Sequence, residues 1–313
     1  MLVHFWGVRG SLPSPLSSSA IKAKIAAILE QAVPEDMASA GTKKRFIDGL
    51  PPWLYGTVGG NSPCVSVDLD GFDEPIIFDS GTGIYEMGVA CLNRTPRPAQ
   101  YHLFFSHFHW DHLQGFPFFN PIYSQLVTMD FYSPSPDLEK ILNDQLCPPC
   151  FPVKLENMQA KKIFHLLKEP VSLGPAAVTF KKMHHPGISY SYQIHSNGKR
   201  FIYATDVELS TGDFLQTKEN IDFFKNADMI VLDAQYTLGE AIEKRNWGHS
   251  AFCMSVDFAA HWGINQLILF HHDPAYDDMK LCEISEAAQR YLQKMGIKGL
   301  EVKLAVDGLE IEL

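Results

Sequence analysis

The chain reads as an α/β protein: two β-sheets packed against each other with helices outside, in one domain over residues 1–313. Three observations predict this. Strand-like runs dominate the first part, helices alternate with strands in the second, and no fixed-period repeat, low-complexity run or linker divides the 313 residues.

The opening LVHFWGV is strand-like and ends in a turn at Arg9-Gly10-Ser11 ahead of Pro13 and Pro15. AIKAKIAAILEQAV carries apolar residues at helical spacing, with Ser19 as its expected cap. A second short helix is expected around Lys43 to Asp48, so residues 16–50 read as a helical insertion, either a lid or a dimer contact. Gly59-Gly60 precedes the alternating strand PCVSVDLDG, and without a following helix and lysine it is a weak phosphate-cradle signal. PIIFDSGTG is a strand running into Asp79, which serves as a turn cap, as an orienter of a metal-binding histidine, or as both. After the central motif, the loop GFPFFNPIY offers Phe116, Phe118, Phe119 and Tyr123 as walls of a site, although such residues more often fill a core. A short helix is expected from Asp137 to Asp144.

Further on, AAVTFKKM and the pair SYSYQIHS and KRFIYATD read as strands, the latter two joined at Asn197-Gly198, a strong hairpin signal. A helical stretch near Ile221 to Asn226 precedes the buried strand of DMIVLDAQYT. HSAFCMSVDFAAHWG reads as a helix stopped by Gly263, QLILF as a strand, CEISEAAQRYLQKMG as a helix stopped by Gly296, and EVKLAV and LEIEL as closing strands.

Composition narrows the function. The hydrophobic content of 46% and charged content of 20% are those of an ordinary soluble globular protein able to bury a core without staples. A formal charge of −10 supplies no basic field for a polyanion, which disfavours long nucleic acid as a substrate. No apolar run reaches bilayer-spanning length and the N-terminus does not read as a signal peptide, so no membrane partner and a cytoplasmic location are expected. The six cysteines are scattered; Cys147-Pro-Pro-Cys150 has the spacing of half a zinc knuckle, but no second pair completes it.

The stretch LFFSHFHWDHLQG, Leu103 to Gly115, organises the rest. It places His107, His109, Asp111 and His112 within six residues, directly behind an apolar strand. A strand that only filled a core would not carry so many groups needing polar partners, so the cluster reads as a metal site. Two adjacent cations need further ligands, and three strand ends offer them: His184-His185-Pro186-Gly187, Asp206, and His271-His272-Asp273-Pro274.

HFHWDH resembles the HxHxDH signature of the metallo-β-lactamase superfamily. FWGVRGS, GGNSPCV, FDSGTG, HHPG, YATDVE, WGHS and LFHHDP resemble a phosphodiesterase-like branch of it, similar to cyclic-phosphate phosphodiesterases and more distantly to ribonuclease Z. The resemblance covers nearly the whole chain apart from roughly residues 16–50 and parts of 120–165, and implies a four-layered αβ/βα sandwich. It further implies that His107, His109 and His185 hold one divalent ion, that Asp111, His112 and His271 hold a second, and that Asp206 bridges them. His184 and His272 are the rivals within each His-His pair. Asp79 and Glu208 are expected to hold ligand histidines by their other ring nitrogens. His249 in NWGHSAF resembles the histidine that protonates the leaving group in related phosphodiesterases, against a plainer reading as a polar residue at a helix start.

This chemistry implies hydrolysis, with Asp111, Asp206 and His249 as the catalytic set and two cations about 3.5–4 Å apart sharing a hydroxide. The mixed N/O ligands suit Zn²⁺, with Mn²⁺ and Fe²⁺ as alternatives. A small or cyclic phosphodiester is the expected substrate, cyclic nucleotide or cyclic sugar phosphate. The alternatives are ribonuclease-Z-like RNA processing, a thioester or lactone hydrolase, and a non-catalytic metal-binding accessory protein.

Overall fold

The computed structural model describes residues 1–313. β1 (Leu2–Gly7) opens the chain, buried on both faces through most of its length. α1 (Ser18–Gln31) and α2 (Ala40–Gly49) form the 16–50 insertion. The cap of α1 is Ser17, whose hydroxyl accepts from the Ala20 amide, so the expected cap Ser19 lies inside the first turn. Neither helix buries a residue, and Ile21, Ile25 and Leu29, four apart on α1, stay exposed. Lys24 ties α1 to the body through the Gly56 carbonyl (2.7 Å) and the Asp278 carboxylate.

The first half continues with α3 (Pro52–Tyr55), β2 (Cys64–Leu69), β3 (Phe72–Phe78), α4 (Ile84–Leu92), β4 (Gln100–Phe104), α5 (Trp110–Leu113), β5 (Thr128–Ser133), α6 (Leu138–Gln145) and β6 (Lys161–Leu166). The second half adds β7 (Val171–Leu173), β8 (Ala176–Met183), β9 (Ser189–Ser196) and β10 (Lys199–Ala204). It ends with α7 (Lys218–Phe224), β11 (Met229–Asp233), α8 (Leu238–Glu243), α9 (Phe252–His261), β12 (Gln266–Phe270), α10 (Asp278–Met295), β13 (Glu301–Leu304) and β14 (Glu310–Glu312). The turn between β9 and β10 has Asn197 and Gly198 both at positive φ (50° and 75°), the backbone that a two-residue hairpin demands.

The strands form two seven-stranded mixed sheets, ordered β14-β1-β2-β3-β4-β5-β6 and β13-β12-β11-β10-β9-β8-β7. Each sheet is antiparallel at one end and parallel at the other, with β3 to β6 and β10 to β13 the parallel halves. This is the α/β sandwich expected from the sequence, although α4 and the parallel strands β5 and β6 give the first half more alternation than its residues suggest.

Alternation along the strands divides the core. Ile76 and Phe78 of β3 and Phe104 of β4 join a 49-residue cluster that includes residues of both sheets, while Ile77, Leu103 and Phe105 point the other way, onto Ile84 and Met87 of α4. Phe78 packs on Tyr203 (5.2 Å between ring centres), Tyr192 (5.7 Å) and Phe201 (6.0 Å) of the opposite sheet. Each such buried ring contributes about 1.5–3 kcal/mol, so the sheets are held in one register where β3, β4, β10 and β12 end together. A parallel bridge between Arg9 and His272 ties them there, the Gly10 amide donating to the His272 carbonyl (2.9 Å) and the His272 amide to the Val8 carbonyl (3.0 Å).

Candidate metal centre

Strand ends, not strand middles, supply the site, because a residue just past a strand is free to take a backbone conformation that aims its side chain along the sheet edge. Asp79 follows β3, His107 and His109 follow β4, His185 follows β8, Asp206 follows β10 and His271 follows β12. Asp79, Asp206 and His271 sit at positive φ (59°, 54° and 63°). Such a conformation costs a residue with a Cβ roughly 1–2 kcal/mol, which the surrounding contacts must hold in place.

A small group of Asp206, His249 and His271 overlaps two larger ligand sets: His107, His109, His185 and Asp206 form one, and Asp111, His112 and His271 the other, with all candidate atoms in each of the three groups within 4.8 Å of one another. Asp206 faces both. Its Oδ1 lies 3.6 Å from His107 Nε2 and 3.8 Å from His185 Nε2, and its Oδ2 lies 3.2 Å from both His112 Nε2 and His271 Nε2. Asp111 Oδ2 is 3.2 Å from the same two nitrogens. The structure separates the rivals: His184 is exposed, and His272 turns away to the Ala305 carbonyl (2.9 Å).

A metal ion fits these residues. His107 Nε2 and His112 Nε2 are buried and have no hydrogen-bond partner, a costly state for a polar nitrogen unless its lone pair is used otherwise. His185 Nε2 and His109 Nδ1 face each other at 3.2 Å, two nitrogens converging as if on a shared cation. Burial holds His107, His109 and His185 below the ordinary imidazole range, which keeps their lone pairs free. Burial also opposes charge on His112 and on Asp111, but Asp111, Asp206 and Asp79 push His112 upward and the neighbouring histidines hold Asp111 well below the carboxylate range. The carboxylates around His112 therefore favour positive charge in the second group, which suits a bound cation.

The rings are aimed from behind. Asp79, fully buried, accepts from His112 Nδ1 (2.8 Å), the Ser106 amide (2.7 Å), the Ser106 hydroxyl (2.7 Å) and the Tyr203 hydroxyl (2.9 Å). His185 Nδ1 meets the Gly248 carbonyl at 2.9 Å. Gly248 sits at φ +93°, and a Cβ there would lie 2.2 Å from His185 Nδ1. Glu208 departs from expectation, for its carboxylate touches no histidine. It accepts from the Asn246 and Gly248 amides (3.0 and 2.9 Å), fixing the loop whose carbonyl holds His185, because only backbone donors come within its reach.

His249 lies beside the cage in the loop before α9, three residues ahead of the helix rather than at its first turn. Its Nδ1 is 2.7 Å from Asp233 Oδ2, and its ring stacks on His271 at 4.9 Å. Burial disfavours the imidazolium, yet the Asp233 carboxylate outweighs it and raises His249 to about 9. Asp233 is a candidate site residue that the sequence reading did not single out. It ends the buried strand β11 as Asp206 follows β10, and that shared placement was the available signal.

Two of the weaker sequence signals give way to the plainer readings set beside them. Phe116 and Phe119 are fully buried in the core beneath the first sheet, so of the aromatic loop only Phe118 and Tyr123 reach the surface. The Gly59-Gly60 turn is no phosphate cradle, because the Gly60 and Asn61 amides already donate to Asp307 (3.0 and 3.1 Å). Arg9 likewise serves the scaffold, buried and donating to the Gly59 (2.8 Å) and Tyr276 (2.7 Å) carbonyls.

A family model described as "Beta-lactamase superfamily domain" matches residues 76–272, a span holding every candidate ligand from His107 to His271. The chain belongs to that superfamily. Its fold is that of the metallo-β-lactamases, metal-dependent hydrolases. Among solved structures it is similar to Zn²⁺-bound PqqB from Methylobacterium extorquens, with a TM-score of 0.66, 13% identity and all of both chains covered. It is similar to a diphosphatase of the PhnP family, with a TM-score of 0.64, 17% identity, and 100% of this chain and 97% of that one covered. It is also similar to the short form of human tRNase Z, with a TM-score of 0.59, 17% identity, and 100% and 99% covered. At these identities the likeness speaks for the superfamily fold. No curated protein matches the sequence significantly. No helix is long and apolar enough to cross a membrane.

Proposed function

We propose that this superfamily member is a dinuclear metal-dependent phosphodiesterase acting on a small or cyclic phosphodiester. One observation carries the reading: the two oxygens of Asp206 face two separate ligand groups, as a carboxylate bridging two ions would. His107, His109 and His185 would hold one ion, and Asp111, His112 and His271 the other. The nitrogen-rich first group suits Zn²⁺, with Mn²⁺ and Fe²⁺ as the alternatives. When bound, such a pair supplies an acidified water and neutralises charge growing on the phosphoryl oxygens.

The chain's own groups do the rest. A cavity of about 370 Å³ opens over the cage, lined by Ser11, Phe108, Trp110 and His249 together with four of the candidate ligands. His249, held at Nδ1 by Asp233, keeps a proton for the departing alkoxide, delivered from its other ring nitrogen. No Lys or Arg lines this cavity, which favours a diester with one negative charge over a more highly charged phosphate. The formal charge of −10 disfavours a long RNA for the same reason. The reading draws support by analogy of fold from the similar PhnP-family diphosphatase and the short form of human tRNase Z.

Purified, metal-loaded protein is expected to hydrolyse bis-p-nitrophenyl phosphate and at least one member of a cyclic nucleotide panel. No turnover of any of them overturns the reading, and efficient cleavage of precursor tRNA replaces it with RNA processing.

A further inference from the structure

A second cavity, about 590 Å³, adjoins the one over the cage and shares Phe108 and Trp110 with it as walls. Its other walls are mostly apolar and include Pro117, Phe118, Ile141 and Phe151. Phe118 and Phe151 meet edge to face, 5.9 Å between ring centres. Its only charged wall residue is Asp144, which Lys140 pairs at 2.6 Å. A volume of several hundred Å³ with apolar walls and few polar groups describes a small-molecule subsite.

Trp110 explains why these rings stand open. It begins α5 between His109 and Asp111, and because Asp111 and His112 turn inward to the cage, helical geometry swings Trp110 outward. It is 84% exposed, and Phe118 is 55% exposed. Large rings left in water beside a catalytic cavity mark a place where a ligand covers them.

We infer that this groove is the subsite for a flat aromatic group on the substrate, so that the preferred diester is a nucleoside phosphodiester whose base lies among Trp110, Phe118 and Phe151. The inference rests on the phosphodiesterase reading for its catalytic half and on the groove for its specificity. Aromatic rings offer faces to any base, so the site discriminates base from no base more strongly than one base from another. No Lys or Arg lines the groove, which disfavours a second phosphate there. Gln145, another wall residue, donates from Nε2 to the Leu113 carbonyl (3.2 Å) and has a buried Oε1 with no donor.

The test compares binding of AMP, ribose 5-phosphate and hexyl phosphate to metal-loaded protein by calorimetry and tryptophan fluorescence. It also compares cleavage of thymidine 5′-(p-nitrophenyl phosphate) with that of methyl p-nitrophenyl phosphate, which share a leaving group. AMP is expected to bind about tenfold or more tightly than ribose 5-phosphate and to quench fluorescence, and the nucleoside diester to be preferred by a similar factor. Phe118→Ala and Phe151→Ala are expected to erase both preferences while leaving ribose 5-phosphate affinity and methyl p-nitrophenyl phosphate turnover unchanged. Equal binding of AMP and ribose 5-phosphate, or hexyl phosphate binding as tightly as AMP, overturns the aromatic subsite. Cleavage of both diesters without preference also overturns it but leaves the phosphodiesterase reading standing. Preferential AMP binding with neither diester cleaved keeps the subsite and removes that reading.

Discussion

Replacing Asp79 by Asn tests whether the second ligand group is tuned from behind. Asp79 Oδ1 accepts the Ser106 amide, while Oδ2 accepts the Ser106 hydroxyl, His112 Nδ1 and the Tyr203 hydroxyl. In the variant the carbonyl oxygen must stay with the Ser106 amide, so the new NH₂ group faces His112 Nδ1. The ring then accepts there and carries its hydrogen on Nε2, the atom aimed at the metal. Loss of such a partner weakens metal affinity roughly 10–100-fold, about 1.4–2.7 kcal/mol. Alanine would instead leave four buried donors unsatisfied at about 1–3 kcal/mol each, a sum comparable to the whole stability of a typical fold, so Asn is the informative change. Titration against a chromophoric chelator is expected to show one ion bound as in the wild type and the other weakened within that range, in a protein with unchanged circular dichroism. Two unchanged affinities would refute the reasoning.

Other outcomes follow from the same geometry. His249→Gln is expected to lower kcat by about 10²–10⁴ on alkyl diesters, and far less on p-nitrophenyl esters whose leaving group needs no proton, with metal content intact; an equal loss on both would contradict the acid role. By nuclear magnetic resonance on metal-free protein, His249 is expected to titrate at about 9 and to fall toward its ordinary value in Asp233→Asn. Because its folded value lies above the ordinary 6.5, the stabilisation it brings is complete below that pH and is lost as pH rises toward 9. Gly248→Ala is expected to abolish binding at the His107, His109 and His185 group, since its Cβ would stand 2.2 Å from His185 Nδ1 and its φ of +93° suits only glycine; a metal titration matching the wild type would contradict this.

The candidate site was legible because candidate ligands at strand ends leave a local mark: a short apolar run followed closely by His or Asp. That mark found His107, His109, Asp111, His112, Asp206 and the two His-His pairs. Which histidine of each pair faces the cage depends on backbone torsion and on neighbours distant in sequence, such as the Ala305 carbonyl that takes His272. Glu208 and Asp307 were illegible for a related reason, since each is occupied by backbone amides of a loop far along the chain. Among the elements, β6 escaped notice because it shows no buried alternation, and α4 because nine mostly apolar residues carry little periodicity. β5 is almost wholly buried yet includes the polar Asp130, which accepts from Gln100 and pairs with His165, and this interrupts the apolar run that would have announced a strand.

Anomalous scattering from a crystal of the metal-loaded protein, recorded at the metal's absorption edge, tests the central claim most directly. Two peaks per chain are predicted, one ringed by His107, His109 and His185, the other by Asp111, His112 and His271, with Asp206 between them. A single peak, or peaks away from Asp206, would contradict the account.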